Sequence, residues 1–266
     1  MTIIGGGGGS MSRNTFDVRS SPVEVQFDRG RDWRARMGFV LICTDGLIEG
    51  EMFRLVPPGV GVHFTRLPGS EEITVENLLA MEKDLEDAAS RFVFEGDLDV
   101  VCFACTSASA LIGEDRVKAA LSRGAPNARP TTLISGVIQA LRTLKVSRIV
   151  VATPYLDEIN TLEARYLQDQ GFEILDFQGM NILKDPDIRR VAPDFIKDYA
   201  RSLDRPEAEA IFISCGGVRS LEIVDELEQE VGKPVVASNQ AMFWNTLRLA
   251  GINDKIEGYG RLLRKY

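Results

Sequence analysis

At 266 residues, 44% of them hydrophobic, the chain can bury the core of one large domain or two small ones. A net charge of −8 argues against nucleic acid or an anionic membrane surface as main partner, and no apolar run approaches the ~20 residues a membrane span needs. Four cysteines without disulfide-like spacing suit a reducing cytoplasm.

The opening MTIIGGGGGSMSR carries too short an apolar stretch for a secretory signal. Its Gly5–Ser10 tract reads as flexible linker, with Met11 expected as the native start, so 1–15 is set apart as a tag-like segment. MGFVLICT (37–44) is a continuous apolar, β-rich run and predicts a strand. GVGVHFTRL (59–67) predicts a second strand. ITVENLLAMEKDLEDAASRF (73–92) predicts a helix from its three- and four-residue apolar spacing, with Thr74 as N-cap. LDVVCFAC predicts the third strand, and SALIGEDRVKAALSRG the helix after it, ended by Gly124. RPTTLIS then leads into the helix GVIQALRTL. Continuous hydrophobic strands joined by amphipathic helices indicate parallel sheets covered on both faces.

The pattern then repeats. SRIVVATPYLDEINTLEARYLQDQG echoes the first strand and helix, EAIFISCGGVRSLEIVDELEQEVG the third strand and its helix, and KPVVASNQAMFWNTLRLAG the fourth pair. Thr44 and Thr153 lie 109 residues apart, Cys105 and Cys215 110, and Ser135 and Ser238 103. The expected fold is α/β, with two pseudo-twofold-related Rossmann-like parallel-sheet domains. The first comprises 36–134 plus 239–266, and the second 135–238. Ligands of open α/β sheets sit outside the carboxyl ends of the strands, which places the site in the cleft between the two units.

Cys102 and Cys105 stand three apart in an extended segment and so point to opposite faces, which disfavours a redox or metal C-x-x-C. His63 is the single histidine and there is no second C-x-x-C, so a zinc set lacks its ligands. Cys102 and Cys43 read as small buried hydrophobes. Cys105, by contrast, ends a strand and is followed by Thr106, Ser107 and Ser109, while Cys215 ends the equivalent strand before GGVRS. A lone cysteine there favours a structural role, but a pair at equivalent places of a duplicated fold does not. Two thiols across a cleft can move a proton off one face of a carbon beside a carboxylate and onto the other. Alternatively, one thiolate adds to an activated double bond while the other protonates its neighbour. Either scheme needs groups to hold the enolate oxygens, which Thr106, Ser107 and Gly216 could supply.

FACTSAS, ATPYLDEIN, ISCGGVRSLEIVDELEQEVGKPVVASNQAMFW and the closing GYGRLL resemble the aspartate/glutamate racemase superfamily. Within it they are similar to the branch of maleate cis-trans isomerase and arylmalonate decarboxylase, from about Phe16 to the end. DVRSSPVEVQFDRGR…RMGFVLICTD and SNQA look most like the ectoine-utilisation members. The resemblance implies Cys105 and Cys215 as catalytic residues and Thr106, Ser107, Tyr155 and Gly216 as carboxylate-holding groups. Decarboxylases of the branch have glycine at the first cysteine's position, so Cys105 disfavours simple decarboxylation. Asp45 stands where the isomerases have asparagine; it would repel a dianion or bind an ammonium group. Asn181 corresponds to a further isomerase asparagine, and Arg219 either clamps a second carboxylate or pairs with Glu222 on the surface. Asn239 is expected to cap the last helix rather than reach the ligand. His63 lies mid-strand, an unpromising base for a hydrolase triad.

The expected activity is thus that of a cofactor-independent isomerase or racemase of a small carboxylate, an amino acid or an ectoine-derived metabolite. Covalent maleate-type isomerisation, arylmalonate-type decarboxylation and a non-enzymatic carboxylate-binding module are the alternatives. No cofactor, metal, nucleic acid or membrane is expected as partner, and homo-oligomerisation is left open.

Overall fold

Among the described residues, eight short strands of mostly buried, β-branched and aromatic residues form two sheets of four. The computed structural model describes residues 20–92 and 97–266, so the glycine tract and the tag-like segment 1–15 lie outside the described residues. Arg31–Tyr266 form one compact unit that contains both sheets. Residues 20–30 carry no helix or strand.

The first sheet comprises β1 (Ala35–Ile42), β2 (Val60–Leu67), β3 (Val100–Phe103) and β4 (Arg129–Thr132), in the order β2-β1-β3-β4. The second comprises β5 (Arg148–Thr153), β6 (Glu173–Gly179), β7 (Ala210–Ile213) and β8 (Val235–Ala237), in the order β6-β5-β7-β8. All pairings are parallel, and the two orders are the same once each strand is matched to its repeat. Strands of this kind need crossover connections, and helices supply them. β1, β3, β5 and β7 are almost wholly buried because both of their faces are covered.

Two long predicted helices turn out to be broken. The run 73–92 divides into α2 (Val75–Ala80), a 3-10 turn at Met81–Asp84 and α3 (Leu85–Ser90). Thr74 does cap α2, its Oγ1 accepting the Asn77 N–H at 3.2 Å. The helix predicted after the third strand divides into α4 (Thr106–Ile112) and α5 (Glu114–Gly124). Gly113 separates them with φ +94°, a conformation that favours glycine.

Near the middle, α6 (Leu133–Thr143) follows β4 and α11 (Ser238–Leu249) follows β8, and the two pack on each other. A Cβ on Gly136 would stand 2.9 Å from the Ala241 carbonyl oxygen and from Met242 Cα, so glycine allows this backbone-to-backbone approach. The strand ends correct one sequence pairing. The first helical residue after β4 is Leu133 and that after β8 is Ser238, so Ser135 is not the positional partner of Ser238. Ser135 instead completes the α6 cap, its N–H donating to Thr132 Oγ1 at 3.0 Å.

Candidate active site

Each cysteine lies two residues beyond the end of a central strand, Cys105 after β3 and Cys215 after β7. Both are nearly buried, at 9% and 5% exposure, and both line one cavity with about 470 Å³ of empty space including its mouth. The first repeat contributes Ile42, Ile48, Ser70, Glu72, Ile73, Leu78, Met81 and Ala104–Ser107 to the wall. The second contributes Tyr155, Asp185, Cys215, Gly216 and Gly217. The segment around Ser70 and Glu72 is held to the second repeat by backbone pairing: the Ile73 N–H donates to Leu183 O and the Asp185 N–H to Glu71 O, both at 2.9 Å.

Cys215 adopts φ +99°, one of three non-glycine residues with positive φ among the described residues. Such strain persists only where surrounding bonds hold it, and here they do. The Cys215 N–H donates to Ser238 Oγ at 3.0 Å, and the Gly217 N–H donates to Cys215 Sγ at 3.3 Å. Thr106 Oγ1 donates to the same Ser238 oxygen at 3.2 Å, so one hydroxyl at the start of α11 ties both cysteine loops together. The two glycines serve different ends. A Cβ on Gly216 would press on Ile48 and Asn239, whereas one on Gly217 would point towards Asp185 Oδ1 and Cys215 Sγ.

Cys105 Sγ lies 3.9 Å from Ser107 Oγ. Burial pushes the Cys105 thiol up to about 11, although the Ala108 N–H and the Ser107 hydroxyl favour its thiolate. Burial also raises Cys215, against the Tyr155 hydroxyl and the Gly217 N–H, which stabilise its thiolate. At neutral pH both resting thiols are therefore protonated. Tyr155 is 2% exposed, and its own ionisation is raised first by burial and then by the neighbouring Cys215, Glu163 and Cys105. Its loop is fixed by Asn160, on α7 (Asp157–Asp169), whose Nδ2 donates to Tyr155 O at 3.0 Å. Asn160 Oδ1 accepts from Thr153 Oγ1 at 2.5 Å.

Among the residues singled out from sequence, the cavity brings together Cys105, Cys215, Thr106, Ser107, Tyr155 and Gly216. Asp45 lies just behind this wall, half-buried, with its carboxylate accepting the Ile48 N–H at the start of α1 (Ile48–Leu55). Burial pushes it up to about 6. Asn181 is exposed, with φ +59°, and is not in the cavity wall. Arg219 is outside the wall too and forms a two-pronged ion pair with Glu222, at 2.9 and 3.0 Å. Asn239 does not cap α11, since Ala237 holds that position. Its Nδ2 instead donates to Glu51 Oε2 at 2.6 Å and to Gly216 O at 2.8 Å, bracing the loop after Cys215. Cys102 and Cys105 enter different core clusters, as expected from their opposite faces. His63 Nε2 pairs with Asp32 at 3.1 Å on β2, apart from the cavity.

Sequence reasoning missed Asp185, the first residue of the short helix α8 (Asp185–Ile188) and 4% exposed in the cavity wall. No local pattern marks it, because its place depends on the pairing with Glu71 across the two repeats. Glu163 was also missed; it is fully buried on α7 beside Ser214 and is pushed up to about 7 by that burial. Its apolar-face helical position was the available signal.

Residues 51–263 match the model of the arylmalonate decarboxylase family. The chain is 30% identical to arylmalonate decarboxylase of Bordetella bronchiseptica over 85% of its own length and 95% of that protein's. It is 28% identical to maleate isomerase of Nocardia farcinica over 86% and 96%. Among solved structures, a Nocardia farcinica maleate cis-trans isomerase mutant with a covalently bound succinylcysteine intermediate superposes with a TM-score of 0.81 at 25% identity, covering 87% of this chain and 99% of that one. A liganded double mutant of arylmalonate decarboxylase, glycine to cysteine and cysteine to serine, gives 0.79 at 28% identity, covering 87% and 100%.

Proposed function

The chain belongs to the arylmalonate decarboxylase family, and on that premise we propose that it is a cofactor-independent isomerase or racemase of a small carboxylate, with Cys105 and Cys215 as its proton-transfer pair. One observation carries the reading: two thiols from equivalent strand ends of a duplicated fold line one small cavity. As thiolate, one cysteine takes the hydrogen beside the carboxylate as a proton, and the C–H electron pair moves into the enolate. The other cysteine, as thiol, delivers its proton to the opposite face, so atoms and charge balance and no cofactor is consumed. The Ser107 hydroxyl and the amides flanking the two cysteines are the donors suited to the developing oxyanion. Tyr155 stabilises the Cys215 thiolate when that residue is the base.

The sequence likeness to ectoine-utilisation proteins supports a metabolite acid of that route as a candidate. A second reading, covalent addition of one cysteine to an unsaturated acid, is favoured by the succinylcysteine found on a cysteine of the Nocardia relative. Simple decarboxylation is disfavoured by the presence of two cavity thiols rather than one. A panel of small carboxylates incubated in deuterated water and followed by NMR separates these readings. Deuterium uptake beside the carboxylate or formation of the mirror isomer is expected. Carbon dioxide release would replace the proposal with decarboxylation. An adduct by intact mass with an unsaturated diacid, without exchange of any saturated acid, would replace it with covalent addition.

A further inference from the structure

The buried face of α7 consists of Ile159, Asn160, Glu163 and Leu167. Asn160 holds the Tyr155 loop, and Glu163 follows it by three residues, so the two share one face of the helix. Glu163 has no part in the chemistry above, yet it is 0% exposed. Both of its carboxylate oxygens are enclosed, and neither has a partner in good hydrogen-bond geometry. The Ser214 hydroxyl, between β7 and Cys215, is enclosed and unpartnered in the same way, and it is the side chain that favours the Glu163 charge. Among the described residues no ion pair reaches Glu163. The charged residues of its own helix, Asp157, Glu158, Arg165 and Asp169, are exposed. α4, packed against α7, carries no titratable side chain. Glu114, which opens α5, is taken up by Lys118 at 2.6 Å and by Tyr166. On β6, Glu173 is exposed and Asp176 pairs with Arg205. A charge on Glu163 therefore acts on Cys105, at the start of α4, and on Tyr155.

We propose that Glu163 is a positioning residue for the thiols: as a neutral acid it leaves Cys105 free to ionise, and once ionised it opposes the Cys105 thiolate. A carboxylate enclosed with neither a cation nor an aligned donor is costly, so burial favours the acid, whose O–H has the Ser214 oxygen beside it. A like charge in a water-poor setting raises a neighbouring thiol or phenol, and both Cys105 and Tyr155 are raised by Glu163. Burial sets the changeover at about 7. The inference takes Cys105 as a reacting thiol, as above, but requires neither a particular substrate nor one of the two mechanisms.

Alkylation by iodoacetamide, with Cys105 separated from the other three cysteines by tandem mass analysis, reads the thiolate of the full chain without a substrate. Dividing the Cys105 rate at pH 9 by that at pH 6 cancels accessibility. Glu163→Gln stays neutral at every pH, and its ratio is expected to exceed that of the unmodified chain by about threefold or more. At pH 6 the two should agree within about twofold, because Glu163 is then an acid in the unmodified chain too. Glu163→Leu also removes the charge and should diverge in the same way, so either variant decides if the other fails to fold. A packing role alone would change the rate by one factor at all pH values rather than by a factor that grows with pH. Equal ratios in the unmodified chain and in a variant of native circular dichroism overturn the proposal. So does a constant excess at both pH values, which would mean that Glu163 is charged throughout. Absence of deuterium exchange in the carboxylate panel would remove the proton-transfer reading and leave this one to the alkylation rates.

Discussion

Cys105 and Cys102 share a tetrapeptide and a buried setting, yet only Cys105 faces the cavity. Removing a group that transfers a proton in the transition state costs typically ~10²–10⁴ in rate. Cys105→Ala and Cys215→Ala are therefore expected to lower isomerisation by about that factor, with Cys102→Ala and Cys43→Ala close to unmodified turnover. A comparable loss from Cys102→Ala in a folded protein would bring back the C-x-x-C reading. The raised thiols fix the direction of the pH dependence. With Cys105 held up to about 11, the thiolate fraction grows as pH rises, by about tenfold per unit while pH stays well below that value. Rates at limiting low substrate should accordingly climb from pH 7 to 9. A flat profile there would point to a base other than a resting thiol.

At the scale of elements, the site depends on how closely α6 and α11 approach, because α11 carries both Ser238 and Asn239. Gly136→Val would force side-chain atoms into the Ala241–Met242 backbone, which cannot retreat as a flexible side chain could. Overpacking of this kind costs about 1–3 kcal/mol, measurable as a lower denaturant midpoint. Activity should fall by more than the loss of folded protein explains, since displacing α11 moves the hydroxyl that holds Cys215 at φ +99°. Unchanged stability would mean that the helices can part without cost. Gly113 plays the opposite part, ending α4 so that the segment bearing Thr106 and Ser107 is short.

Across the whole molecule, the two repeats are joined by buried polar contacts as well as by apolar packing. Glu51 of the first repeat, 1% exposed, meets Asn239 of α11, and burial pushes it up to about 8 despite the Asn239 N–H that favours its charge. Because its folded value lies above its unfolded one, Glu51 holds more protons when folded throughout the interval from about 4.5 to about 8. Stability is thus greatest below that interval and falls as pH rises through it, by on the order of 5 kcal/mol for the full shift. Asp45, Glu163, Asp185 and Glu228 are raised as well and act in the same direction. Glu51→Gln should flatten the decline in unfolding free energy between pH 5 and 8. An equally steep decline in the variant would assign it to the other four carboxyls.

The duplication, the parallel sheets and the two strand-end cysteines were legible in the sequence because each is a local signal: an apolar run, a helical period, a residue at the end of a run. Matching offsets near 110 residues then tied the signals together without any contact being known. The breaks in the long helices were harder to read, since one residue such as Gly113 decides them against a continuous apolar period. The charge of the cavity could not be read at all. Asn181 was the candidate from the motif, but Asp185, four residues on, is the side chain in the wall. That outcome follows from the Glu71 carbonyl accepting the Asp185 N–H, a bond between segments more than a hundred residues apart. Asn239, read as a cap, likewise found Glu51 only once the two repeats had met. Sequence periodicity determined which residues are strand, helix and core, because those depend on neighbours along the chain. Which carboxylate faces the thiols depends on neighbours across it, and only the tertiary structure decided that.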